Sequence, residues 1–263
     1  MAQTIRDGRT RPGSEPRGMP LVLMYHSVQP YTADPYLVTV SPPRFAQQMH
    51  WLHRRGRRGT SMRELLAARA AGHGRHLVGL TFDDGYADFA EHALPVLRRY
   101  GFSATVFAIA GRLGGANDWD PDGPRKALLD ADGLRRLAAA GIEIGSHGLR
   151  HQRLPAAYGE LAGEIEGSRS ILQDVTGQPV TGFCYPYGDI DAWVVAHVRA
   201  AGYDYGCAIR PSAYAGRHAL PRSYVGEADT APRLWAKTLR HRLAWDYADP
   251  GAGRQAANFM PSA

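Results

Sequence analysis

One phrase recurs along this chain and limits what it can fold into: an amphipathic helical stretch, a glycine, then a short apolar strand. It reads "HALPVLRRYGFSATVFAIAG" around Gly101, "LRRLAAAGIEIGSH" around Gly141 and "VVAHVRAAGYDYGCAI" around Gly202. "SPPRFAQQMHWLHRRG" ends the same way at Gly56. Each glycine stands where a helix needs a left-handed residue to terminate. Further strands are expected over Leu21–Tyr25, Leu77–Phe82 and Val180–Tyr185, with a helix over Gly159–Val175 that ends near Gly177. Strands alternating with helices imply a parallel sheet with right-handed crossovers. The number of units favours a barrel over an open sheet. In both architectures functional groups gather at the C-terminal strand ends.

Polar clusters fall at those ends: Tyr25-His26, Asp83-Asp84, Ser146-His147 and Tyr185-Pro186-Tyr187-Gly188. Residues far apart in sequence therefore converge on one face. The polar loop "GRLGGANDWDPDGP" follows a strand and is expected to border it. A chain of 263 residues, 44% hydrophobic, suits one such domain, over about 18–247. Residues 1–17 and 248–263 read as flexible tails.

Composition narrows the class. No apolar run is long enough to span a bilayer. The polar N-terminus lacks a signal-peptide core, so a cytoplasmic protein is expected. The net charge of +6 comes from scattered arginines without a nucleic-acid recognition motif. Cys184 and Cys207 read as buried structural thiols, outside any metal cluster. His50, His53, His73 and His76 lie among Arg and Gly and read as surface residues.

Asp83 and Asp84, as loop acids, could simply cap the following helix. "SHGLRH" offers a second reading, because His147 and His151 follow another strand. One carboxylate and two imidazoles make a facial three-ligand site for a divalent ion, with positions open to water and substrate. The second aspartate then stays free beside the ion as a base. That chemistry is metal-assisted hydrolysis, and no Gly-x-Ser-x-Gly elbow offers a serine nucleophile instead.

"TFDDGY", "SHGLRH" and "FCYPYG", in this order and spacing, resemble the polysaccharide deacetylases of carbohydrate esterase family 4. The resemblance runs from Leu21 to about Val225. It implies a distorted (β/α) barrel in a single domain. It implies removal of acetyl groups from N-acetylated sugars with Zn²⁺, or another divalent ion such as Co²⁺, Ni²⁺ or Fe²⁺. By the same resemblance Asp83 is the general base, Asp84, His147 and His151 are the metal ligands, and the backbone N–H of Tyr187 helps hold the oxyanion.

Two departures matter. Many family members carry an arginine where this chain has Cys184, and that arginine braces the catalytic aspartate. Arg222, in "ALPRSYV", is the candidate replacement, with a surface arginine as the alternative. The family's C-terminal Leu-x-His motif, source of the general acid, is missing. "LMYHSV" resembles a permuted version found in the branch that includes poly-N-acetylglucosamine deacetylases, which makes His26 the expected acid ahead of His218. Of Trp119, Tyr185, Tyr187, Tyr214 and Tyr224, only Tyr187 is expected near the site. The expected partner is a carbohydrate bearing N-acetyl groups, with oligomeric state left open. A non-catalytic carbohydrate binder and an amidohydrolase acting on a small amide are the alternatives.

Overall fold

The computed structural model describes residues 18–210 and 212–246; the two expected tails lie outside them. In chain order the first half holds β1 (Val22–Tyr25), β2 (Ser27–Val28), β3 (Thr39–Val40), α1 (Pro42–Arg54), β4 (Arg58–Thr60), α2 (Met62–Ala70), β5 (Leu77–Phe82) and α3 (Leu94–Arg99). The second half holds β6 (Thr105–Ala108), α4 (Ala131–Ala139), β7 (Glu143–Ser146), α5 (Ser168–Thr176), β8 (Gly182–Cys184), α6 (Ala192–Ala200), β9 (Tyr205–Cys207), β10 (Ser223–Tyr224) and α7 (Ala231–Asp246).

The helices start and stop for local reasons. The side chains of Ser41, Ser61, Asp130 and Asp191 each accept a backbone N–H in the first turn of the helix that follows. The glycines expected to end helices, at 56, 101, 141 and 202, all have positive φ. The stretch expected as one helix over 159–175 is less regular: a 3₁₀ turn at Tyr158–Glu160 and a π-helical turn at Gly163–Gly167 precede α5. Glycines at 163 and 167 weaken regular helix there, and the wider turn carries Glu164 into the interior.

The main sheet is parallel, in the order β10-β1-β5-β6-β7-β8-β9, with β4 on β5. Every residue of β5 is buried, as a strand covered on both faces requires. The sheet curls into the distorted barrel expected from the motifs. Its two edges are joined by the segment 219–224. Leu220 bridges to Cys207 of β9, and Ser223 and Tyr224 then pair with Leu23 and Met24 of β1.

Inside the curl, strand glycines make room for large side chains. A Cβ on Gly182 would lie 2.1 Å from the hydroxyl of Tyr205. That hydroxyl donates to buried Glu143 Oε1 at 3.0 Å, and Glu143 Oε2 also accepts from Thr105 Oγ1 and the backbone N–H of Arg63. Gly182→Ala is therefore expected to destabilise the fold by about 1–3 kcal/mol through overpacking. Urea unfolding checks this, and an unchanged midpoint would contradict the packing described.

Candidate active site

The site assembles where five chain segments leave the sheet on one side. His26 follows β1, Asp83 and Asp84 follow β5, His147 follows β7, Tyr187 follows β8, and Arg222 sits in the closing segment before β10. Neither aspartate caps a helix; the residue before the next helical turn is Asp88, which accepts from Ser27 and the Val28 N–H. Among the described residues four non-glycine residues have a left-handed backbone, and three of them are Asp84, His151 and Tyr187. Such conformations are costly and persist where the surroundings impose them, often at functional sites.

Asp84, His147 and His151 are all buried. Asp84 Oδ1 lies 3.3 Å from His147 Nε2 and 3.4 Å from His151 Nε2. Ligand atoms about 2.0–2.1 Å from a shared tetrahedral ion stand about 3.3 Å apart, so these three donors fit one divalent cation. His147 Nδ1 faces the carbonyl of Cys184 at 2.9 Å. That contact leaves Nε2 to point its lone pair at the cation position.

The electrostatics agree with the geometry. Burial alone would raise the Asp84 pKa, but the His147 hydrogen bond and the nearby histidine charges hold it well below the usual carboxylate range. Burial opposes a charged His147 as well, yet Cys184, Asp84 and Asp83 together raise its pKa well above the ordinary value. His151 is pushed down to about 3, mainly by burial, with His147 and His26 adding to the shift against the pull of Asp84.

Asp83 takes no part in that triad. Its two oxygens meet Arg222, Nη1 to Oδ1 at 2.6 Å and Nη2 to Oδ2 at 2.8 Å. Arg222 also donates to Thr81 Oγ1 at 3.0 Å, Ala208 O at 3.0 Å and Cys184 Sγ at 3.1 Å. Burial would raise the Asp83 pKa, but the guanidinium's charge and hydrogen bonds lower it. The thiol of Cys184 occupies the space beside this pair, and its ligand atom lies within 4.8 Å of those of Asp83 and His147. This corrects the expectation that neither cysteine joins such a cluster. Burial raises the pKa of the Cys184 thiol, so it serves here as a neutral neighbour of the guanidinium.

His26 Nε2 is 4.0 Å from Asp83 Oδ2, and the ring is largely buried. Two groups so spaced can each form a hydrogen bond to the same atom, or to two bonded atoms, of a substrate between them. His218 lies elsewhere: its Nε2 meets the carbonyl of Tyr203, and its own carbonyl accepts from Tyr185. Tyr224 donates to the carbonyl of Leu37, away from the triad. His50, His53, His73 and His76 are exposed.

Two further residues belong to the site: Trp119, which corrects the expectation that only Tyr187 of the five aromatics lies near it, and Glu164, which the sequence reading missed. The Trp119 ring packs against His151 at 4.6 Å, while Tyr187 packs against the same imidazole at 4.5 Å. Trp119 is carried by the polar loop expected to border this face. Asn117, which accepts from the Lys126 N–H at 2.6 Å, and a bridge between Ala116 and Ala127 hold that loop. The signal available was the loop itself, which follows a strand at its C-terminal end. Glu164, fully buried, accepts from the N–H groups of Leu149 and Arg150 at 2.8 and 3.0 Å and from Arg150 Nε at 2.9 Å. It therefore braces the loop between the two histidines.

The polysaccharide deacetylase family model matches residues 70–206, just over half of the chain. The chain belongs to the polysaccharide deacetylase family. It is 29% identical over 210 residues to the polysaccharide-deacetylase-like protein YxkH of Bacillus subtilis (strain 168), covering 78% of this chain and 70% of that one. It is 23% identical over 186 residues to the poly-beta-1,6-N-acetyl-D-glucosamine N-deacetylase of Staphylococcus aureus, covering 66% of this chain and 62% of that enzyme. The chain thus spans less than two thirds of the staphylococcal relative. In three dimensions it superposes on the Streptococcus pyogenes deacetylase PplD with a TM-score of 0.71 at 23% identity, covering 84% of this chain and 99% of that one.

In this polysaccharide deacetylase the Arg222–Asp83 contact makes a testable demand. Arg222 lowers the Asp83 pKa, so Arg222→Met raises it, and the acid limb of the kcat/KM profile moves to higher pH. Leaving a buried carboxylate unpaired also destabilises the fold by about 3–5 kcal/mol. Rate profiles at temperatures where the variant is still folded check the first effect, and thermal melts check the second. An unmoved acid limb would contradict the arrangement.

Proposed function

We propose that this chain is a metal-dependent hydrolase that removes acetyl groups from N-acetylated amino sugars on an oligosaccharide, polysaccharide or glycoconjugate. The observation that carries the reading is the division of labour between adjacent aspartates. Asp84 lies with two imidazoles in a cation-sized cluster, while Asp83 is gripped by Arg222 and kept out of it. A protein that only bound carbohydrate would have no use for a braced, ionised carboxylate beside such a cluster.

When bound by Asp84, His147 and His151, a divalent ion supplies Lewis acidity, polarising the amide carbonyl and acidifying water. Zinc suits the oxygen and nitrogen donors, and cobalt, nickel or ferrous iron can use the same set. Asp83 accepts the proton of the attacking water, and Arg222 keeps it in one orientation. The N–H of Tyr187 donates to the carbonyl oxygen as that oxygen becomes negative. An amine leaves poorly unless protonated, so His26 donates a proton to the nitrogen as the C–N bond breaks. The products are acetate and a free amino sugar. Trp119 and Tyr187, either side of His151, offer apolar faces against which a sugar ring can stack.

Mass spectrometry of metal-loaded protein with N-acetylated sugars and chito-oligosaccharides tests the class, and loss of one acetyl mass is the expected result. Asp84→Ala is expected to lose both ion and activity. Asp83→Asn is expected to keep the ion and slow turnover by about 10²–10⁴-fold. Equal metal loss in both variants would overturn the division of labour. His26→Ala is expected to lower kcat on the amide far more than on an activated ester, whose leaving group needs no proton. Near-normal amide hydrolysis by His26→Ala would remove it as the acid.

A further inference from the structure

Three exposed aromatic side chains stand on the catalytic face without a part in the reaction above. Tyr158 follows β7, Trp193 stands in the first turn of α6 after β8, and Tyr214 follows β9. They are 52%, 58% and 38% exposed. β7, β8 and β9 are neighbours in the sheet, and the segments leaving their C-terminal ends share one sector of the rim. Tyr187, itself 39% exposed, belongs to the same sector and joins it to the ligand cluster. Large rings gathered on one part of a surface mark a binding site more often than rings scattered singly do.

Polar contacts fix this sector. The guanidinium of Arg153 lies 4.3 Å over the Tyr187 ring and pairs with Asp189. Two residues on, Asp191 accepts from the Tyr158 hydroxyl and, at 2.8 Å, from the Val194 N–H in the first turn of α6. Trp193 packs on His197 at 4.6 Å, and Tyr214 is within electrostatic reach of Tyr158. The chain from Tyr187 to Asp191 can span at most about 14 Å. Among the described residues Tyr187, Tyr158, Trp193 and Tyr214 do not stack on one another. The rings therefore stand apart along the rim, with charged or hydroxyl groups between them.

We propose that Tyr158 and Trp193 form a distal sugar-binding site, which holds units of the same glycan chain beyond the one being deacetylated. The inference rests on the deacetylase reading above and adds where the rest of the substrate lies. A pyranose ring has apolar C–H faces and a rim of hydroxyls. Exposed aromatic rings match the faces. The Arg153–Asp189 and Tyr158–Asp191 pairs offer donors and acceptors to the hydroxyls. Rings set apart suit a ligand that repeats, whereas a small amide held at the cluster ends at Tyr187. Asp189 is matched by Arg153, and Asp191 by Tyr158 and α6, so the sector has no field of one sign to select a charged polymer. A protein partner is a poorer occupant. The sector runs into the ligand cluster through Tyr187, where the chain that carries the acetyl group has to enter.

Calorimetric titration of the zinc-loaded, full-length Asp83→Asn variant, whose slow turnover preserves the ligand, tests this. The probes are N-acetylglucosamine oligomers from dimer to hexamer, in a β-1,4-linked and a β-1,6-linked series. Affinity is expected to rise with length in at least one series. Trp193→Ala with Tyr158→Ala, added to that variant, should weaken binding of the hexamer about tenfold and leave that of the dimer at its former value. Trp193→Ala alone, which keeps the contact between Tyr158 and Asp191, should give part of the same loss. Affinity independent of length in both series overturns the proposal, as does a length dependence that survives both substitutions. Length-dependent binding with no acetate released by the wild-type enzyme would keep the distal site and remove the deacetylase reading. Acetate release without any length dependence in binding would do the reverse.

Discussion

The bidentate contact between Arg222 and Asp83 is the interaction on which the rest of this site depends. A guanidinium has five N–H donors. Here each meets an acceptor: two on Asp83 and one each on Thr81, Cys184 and Ala208. Both side chains are almost wholly removed from solvent. Burying two charges is costly, and only close geometry with full hydrogen bonding offsets it. The contact therefore does two jobs. It ties the end of β5 to β8, to the end of β9 and to the segment that closes the barrel. It also keeps Asp83 ionised, with both its oxygens on the guanidinium.

Around that pair the loop between His147 and His151 is held by further buried groups. The carbonyl of Cys184 orients the His147 ring, and Glu164 collects two backbone N–H groups and a guanidinium from the loop between the histidines. The strained backbone at Asp84, His151 and Tyr187 is the local cost of bringing these side chains together. Buried Glu143 organises the barrel interior through Thr105 and Tyr205 in the same manner.

Much of this was legible in the residues. The strand predicted over Leu77–Phe82 has the same bounds in the structure, and the glycines at 56, 101, 141 and 202 end helices with positive φ. These features are local: a buried parallel strand reads as a continuous apolar run, and a helix stop needs one residue type. The convergence of His26, Asp83, Asp84, His147 and Tyr187 followed from strand-end logic, while Arg222 came from the family resemblance, as the replacement for the arginine that Cys184 displaces. Trp119 was named and set aside because a loop aromatic has no periodicity to show where it points. Glu164 was invisible because an amphipathic reading of 159–175 assumes a regular helix, and the π-helical turn at Gly163–Gly167 rotates that carboxylate inward. Cys184 was read as an inert core thiol because nothing local reveals that its neighbour across the barrel is a guanidinium.

The closing segment has a consequence for when the chain becomes competent. During synthesis the ligands and Asp83 all emerge from the ribosome well before Arg222. Until residues 219–224 settle between β9 and β1, Asp83 lacks the guanidinium that holds both its oxygens. A truncated chain ending before Leu220 would carry Asp83, Asp84, His147 and His151, yet lack the guanidinium that grips Asp83. Completion of the barrel and the bracing of Asp83 are thus one event, set by a single late arginine.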